Sequence, residues 1–215
     1  MPTLDEIKAQ IAHCQLCDLS KARNQTVPGD GNPHSKVMFI GEAPGFYEDQ
    51  QGRPFVGPAG RFLDELLGLA NLTRKEVFIT NVIKCRPPGN RDPEPGELDA
   101  CDGHLKAQIA TLAPRVVVTL GRFSLAKFVS NIRSMKEIHG RAIPYDGRVV
   151  VAMYHPAAAL HQGSLKRVIE DDFRTLPMII TRTESQTAAP ALGPDLVAAP
   201  AQPAPEQIPL FETFA

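Results

Sequence analysis

The four cysteines of this 215-residue chain fall as a close pair, Cys14-Gln-Leu-Cys17, and a looser, distant pair, Cys85 and Cys101. A fold that uses them together must bring the N-terminal segment back against the middle of the chain. The opening stretch MPTLDEIKAQ is acidic where a secretory signal would be basic and apolar, so the expected compartment is the cytoplasm. Thiols stay reduced there, and disulfides have little use. Four thiolates converging on one tetrahedral point suit zinc or an iron–sulfur cluster. Zinc ribbons use two short C-x2-C knuckles, and the wide spacing of Cys85 and Cys101 departs from that pattern.

Around the cysteines, helical and strand periodicities alternate. Leu4, Ile7, Ile11 and Leu16 recur at helical spacing and put the first cysteine pair at a helix's C-terminal end. VMFIG (37–41) reads as a buried strand running into a glycine-rich loop, and AGRFLDELLGLANL (59–72) as an amphipathic helix. VFITNVI (77–83) is a second strand, followed by the turn-rich KCRPPGNRDPEPG and a helix over 97–112. RVVVTLG (115–121) and GRVVVAMYHP (147–156) complete four strands, and a last helix spans 164–180. Such alternation predicts a parallel sheet covered on both faces. Working residues then gather beyond the carboxyl ends of the strands. Gly41 to Gly45, Asn81 and His155 follow three of those ends.

Composition narrows the function. Hydrophobic residues make up 43% of the chain, as in an ordinary globular protein, and no apolar run reaches the roughly 18–20 residues of a membrane span. The net charge is −1, but residues 183–215 hold Glu184, Asp195, Glu206 and Glu212 and no Lys or Arg. Residues 1–182 therefore carry a mild positive excess, which permits a nucleic-acid partner without requiring one. GEAPG lacks the G-x-G-x-x-G and Walker patterns, which argues against nucleotide binding. The same loop holds Glu42, Glu48, Asp49 and Phe55. An exposed aromatic beside acids at a strand end suits a flat ligand with a water-activating carboxylate nearby. Asn81 offers a donor and an acceptor, the pair needed to read one edge of a base or amide. Residues 183–206 are Ala/Pro-rich and read as a flexible linker, followed by an apolar terminal peptide, 207–215.

Three ordered motifs make the pattern specific: GEAPG-x2-ED-x2-GRPFVG-x-AG, ITNVIKCRPPGNR-x-P and HPAAAL-x3-SLK. With the cysteines, they resemble the family 4, iron–sulfur uracil-DNA glycosylases over about residues 4–180. The resemblance implies a three-layer α/β/α fold with a central four-stranded parallel sheet. It also implies hydrolysis of the N-glycosidic bond of deoxyuridine in DNA, with a [4Fe–4S] cluster rather than zinc on Cys14, Cys17, Cys85 and Cys101.

By the same resemblance, Phe55 stacks on uracil, Asn81 reads its polar edge, and backbone groups of Glu42 and Ala43 close the pocket. His155 donates to uracil O2 as the base departs, and Glu48 orients the attacking water. Leu160 or His161 is the expected wedge into the vacated stack. Ser164, Lys166 and Arg167 are the expected phosphate contacts, with Lys84, Arg86 and Arg91 forming another part of a basic face. Ala43 stands where the best-known branch of the superfamily has Asp, and Gly45 where that branch has a Tyr that excludes thymine. No basic insertion follows the second motif, so ordinary turnover is expected rather than covalent trapping. The peptide QIPLF, Gln207–Phe211, resembles the motif by which bacterial repair proteins dock on the sliding clamp, and a flexible tether would serve such docking. The expected state is a monomer. Two rival readings are a glycosylase for another deaminated base and a non-catalytic iron–sulfur DNA-binding protein.

Overall fold

The computed structural model describes residues 1–130 and 134–188. The helices are α1 (Leu4–Ala12), α2 (Leu19–Ala22), α3 (Phe46–Gln51), α4 (Pro58–Leu69), α5 (Pro95–Leu112), α6 (Arg122–Leu125), α7 (Met135–Ile138), α8 (Ala157–His161) and α9 (Leu165–Ala188). The strands are β1 (Asp30–Gly31), β2 (Val37–Gly41), β3 (Phe78–Asn81), β4 (Val116–Leu120), β5 (Ala142–Tyr145) and β6 (Arg148–Met153). They form one sheet in the order β1-β3-β2-β4-β6-β5. The four inner strands are parallel, as expected, and β1 and β5 pair antiparallel at the two edges.

Period-two alternation assigns the inner side chains to two cores. Val37, Phe39, Ile79, Val118 and Val151 face one layer, where Leu63 and Leu66 of α4 and Phe173 of α9 complete the packing. Met38, Ile40, Phe78, Val117 and Val150 face the other, against Leu105 and Leu112 of α5. Phe39 and Phe173 stack at 6.1 Å between ring centroids and are both fully buried. Burying each such ring contributes about 1.5–3 kcal/mol. Because both faces are covered, the inner strands read as apolar runs, and that made them legible.

The N-terminal helix is set by a reciprocal cap. Thr3 Oγ1 accepts from the Glu6 N–H, and the Glu6 carboxylate accepts from the Thr3 N–H. Through Ile7 and Ile11, fully buried, α1 packs against α5. That docking carries Cys14 toward Cys101. At the other end of the chain, α9 runs to Ala188, past the expected domain end at 182. The remainder of the expected linker and the peptide 207–215 lie outside the described residues. Among the described residues no helix is long and apolar enough to cross a membrane.

Candidate active site

Beyond the carboxyl ends of β2, β3 and β6 opens a pocket of about 580 Å³, lined by Glu42, Ala43, Glu48, Phe55, Asn81 and His155 among others. The three motifs therefore meet in one cavity. Gly41, at the end of β2, is paired in register with Asn81. A Cβ there would overlap both Asn81 Oδ1 and the Phe55 ring, so only glycine lets both side chains lie across the strand end.

Phe55 is held rather than free. It is 5% exposed and adopts φ of 55°, a left-handed conformation uncommon for an aromatic residue. Arg74 fixes it: Nη1 donates to the Pro54 carbonyl at 3.0 Å and Nη2 to the Phe55 carbonyl. Gly60 lies so close beneath the Phe55 backbone that a Cβ would overlap it. The expectation of an exposed aromatic is thus corrected. The loop is pulled inward, and the ring sits 5.5 Å from the His155 ring at 28°.

Asn81 is 1% exposed, and its Oδ1 is buried without a hydrogen-bond partner. Buried acceptors are nearly always paired, so this one is available to a donor entering the cavity. Its main-chain carbonyl accepts from Lys84 Nζ at 2.6 Å. His155 has a defined tautomer. Its Nδ1 accepts from the Ala157 N–H at 3.1 Å, which leaves the proton on Nε2. Desolvation by the pocket walls lowers its pKa to about 4, against an opposing pull from the Glu48 carboxylate, so the imidazole is neutral at physiological pH.

The two glutamates differ in how they are held. Glu48 accepts from the N–H groups of Val56 at 2.8 Å, Gly57 at 2.9 Å and Gly45 at 3.2 Å. It clasps the start of α3 to the loop before α4, and about one of its roughly four lone-pair positions remains for water. Glu42 makes no side-chain hydrogen bond among the described residues. Burial first, then the Asp92 charge, raise its pKa to about 7, with Arg122 acting in the opposite sense. By the family resemblance Glu42 contributes only backbone groups. That this half-buried carboxylate lacks a hydrogen-bond partner among the described residues is visible only once the fold is known. Asp49, another acid of the same loop, is 1% exposed and accepts from the Asn24 N–H at 2.9 Å.

The expected DNA contacts separate. Arg91, Leu160 and His161 line the mouth of the pocket, but Arg91 is held bidentately by Glu97 at 2.9 and 2.6 Å. Arg86 donates through Nε to Asn90 Oδ1 at 2.7 Å and lies over the Phe46 ring. Lys166 and Arg167 border a different surface groove, near Glu170 and Asp171, and Ser164 is exposed beside them, accepting from Gln162. Lys84 is corrected outright: it is 1% exposed and belongs to the core, not to a basic face.

Cys14, Cys17, Cys85 and Cys101 line one cavity, together with Arg23, Lys84 and His104. Arg23 Nη1 lies 3.1 Å from Cys85 Sγ. Among the described residues, no three His, Cys, Asp or Glu side chains are grouped to hold a single metal ion. An all-cysteine donor set spread around one cavity, with two cations beside it, fits an anionic cluster, whose corners hold thiolates farther apart than one ion does. Burial raises the Cys101 thiol to about 11, so a metal must displace protons to bind.

The family model described as the uracil DNA glycosylase superfamily matches residues 28–174. A type-4 uracil-DNA glycosylase of Sulfurisphaera tokodaii is 42% identical over 185 residues, covering 82% of this chain and 84% of that one. Its counterpart in Archaeoglobus fulgidus is also 42% identical over 185 residues, covering 82% and 92%. The type-4 enzyme of Thermotoga maritima is 38% identical over 183 residues, covering 83% and 95%. By that family match and those identities over most of its length, the chain belongs to the uracil-DNA glycosylase superfamily, in the type-4 branch.

Proposed function

We propose that the protein hydrolyses the N-glycosidic bond of deoxyuridine in DNA, releasing uracil and leaving an abasic site for base excision repair. The observation that carries this reading is the meeting of an orphaned Asn81 Oδ1 and a neutral, Nε2-protonated His155 in one pocket at the sheet's carboxyl edge.

The uracil ring lies against Phe55. Asn81 Oδ1 accepts from uracil N3–H, and Nδ2 donates to O4. Cytosine offers an acceptor at N3 and a donor at N4, so both contacts reverse into repulsion. As the C1′–N1 bond lengthens, its electron pair moves onto the base. His155 Nε2–H donates to O2, where that charge accumulates, and a donor already in place stabilises it without reorganisation. Water adds to C1′ from the opposite face and passes its proton to the Glu42 carboxylate. The departing uracil anion then takes a proton from solvent. Glu48 keeps α3 and the Phe55 loop in register. Leu160 or His161 fills the gap left by the extruded nucleotide, whose unstacking costs a few kcal/mol. Arg86, Lys166 and Arg167 contact phosphates.

Cys14, Cys17, Cys85 and Cys101 hold a [4Fe–4S] cluster, which when bound cross-links α1, the segment after β3 and α5. The protein acts as a monomer in the cytoplasm, and Gln207–Phe211 tethers it to a sliding clamp. Unchanged clamp affinity after deletion of 207–215 would remove that last assignment. The test of the main reading is a panel of oligonucleotides bearing uracil, hypoxanthine, xanthine, cytosine or thymine, scored for alkali-labile abasic sites. Cleavage confined to uracil is expected. Preference for a purine would favour a different deaminated base, and DNA binding without base release would favour a non-catalytic role.

A further inference from the structure

Among the described residues, the exposed large apolar side chains include Phe46, 50% exposed, Tyr47, 51% exposed, and Leu160, 54% exposed, and all three stand at the mouth of the same pocket. Single surface aromatics are common and need no explanation. Here two are adjacent on α3, edge to face at 5.5 Å and 83°, and the Arg86 guanidinium lies 5.1 Å over the Phe46 ring. Arg86 spends Nε on Asn90. Its terminal nitrogens make no hydrogen bond among the described residues. Both rings remain half-exposed, although Glu48 and Phe55, a few residues along, are tightly held.

We propose that Phe46 and Tyr47, with Arg86, form a stacking surface for a nucleobase flanking the extruded uracil, Arg86 also meeting the adjoining phosphate. The inference rests on the glycosylase reading. When uracil leaves the stack, each neighbouring base loses one stacking partner, and an aromatic surface at the pocket rim replaces it. Stacking accepts any base, because each has a π-face, so the surface adds affinity without sequence preference. The surface is continuous with the pocket, and its cation suits a phosphodiester. Both favour DNA over an apolar protein partner.

A double-mutant cycle on single-stranded DNA tests this. Wild type and the Phe46→Ala/Tyr47→Ala variant are compared on a normal strand and on strands with tetrahydrofuran in place of the 5′ or the 3′ neighbour of uracil. The expected result is roughly a tenfold rise in KM for the variant on the normal strand, with kcat within about twofold. Removing the contacted neighbour should raise the wild-type KM similarly and cost the variant nothing further. Phe46→Leu/Tyr47→Leu, which keeps bulk but not the rings, should fall between. An unchanged KM in the alanine variant, or penalties that add on both sides, would overturn the proposal. Affinity for a product-like strand, with tetrahydrofuran at the uracil position, separates the two claims. A tenfold loss there upholds the surface even if no uracil is released, whereas equal binding refutes it even if catalysis is intact.

Discussion

At the scale of single residues, the site depends on two groups whose protonation the fold sets in opposite directions. The walls around His155 keep its imidazole uncharged, whereas those around Glu42 keep its carboxyl half-protonated near neutrality. If Glu42 accepts the proton of the attacking water, the rate should climb as pH rises through about 7, because only the ionised form can accept. Glu42→Gln should flatten that climb and lower kcat by about 100-fold, a usual scale for losing a positioned base. His155 should contribute no inflection above about pH 5, since it is already neutral there. A wild-type profile flat between pH 6 and 8 would remove Glu42 from the mechanism. Phe55→Ala should weaken both KM and kcat, since the ring binds the base and its backbone shapes the loop.

These residues were unequally legible. Asn81 and His155 stood at strand ends in the sequence, and their positions followed from the alternation of strands and helices. The inward turn of Phe55 did not. It depends on Arg74, many positions later in the chain and marked by no local pattern.

At the scale of elements, the end of β3 is the critical junction. Lys84 Nζ donates to Thr80 Oγ1 at 2.8 Å, to the Asn81 carbonyl at 2.6 Å and to Gln108 Oε1 at 2.7 Å. The Thr80 hydroxyl donates to the Pro28 carbonyl, so it can only accept from Lys84. Three acceptors around one nitrogen require three hydrogens, hence an ammonium. Lys84→Met keeps much of the volume but strips all three acceptors of their donor. It should lower unfolding stability by about 3 kcal/mol in urea titration and raise KM through a displaced Asn81. Unchanged stability would show that the network contributes nothing net. The sequence could not show this, because KCRPPGNR reads as a solvated basic turn and only the tertiary acceptors identify its first residue as core.

The two edge strands escaped notice for a different reason. β1 is two residues long, and β5 is largely exposed and contains Pro144, so neither carries the apolar run that marked the inner strands. Helix α3 was hidden in a stretch that read as glycine-rich loop. Gly45 and Gly52 bound it, the latter left-handed at φ of 66°.

At the scale of the whole molecule, the four-cysteine cavity joins the end of α1, the segment after β3 and the first half of α5, the same segment that carries Lys84 and, through it, Asn81. A metal bound there should hold the N-terminal region against the sheet. Protein purified without oxygen should be brown and contain about four irons and four sulfides, as a [4Fe–4S] centre requires. Removing the iron by chelation or oxidation should lower Tm, since a ligand that binds only the folded state stabilises it. A colourless protein carrying one zinc would refute the cluster. The sequence showed which residues meet here but not what surrounds them, because Arg23 and His104 arrive by packing rather than by motif.

The most direct test of the site is the single-turnover rate of uracil release from a deoxyuridine oligonucleotide, measured for the wild type and for His155→Ala. The wild type should release uracil and leave abasic sites. The variant should bind the DNA comparably yet release uracil roughly 100- to 1,000-fold more slowly, the scale of losing one preorganised donor to a developing anion. Equal rates in the two proteins, or no release by the wild type, would contradict the assignment of this pocket.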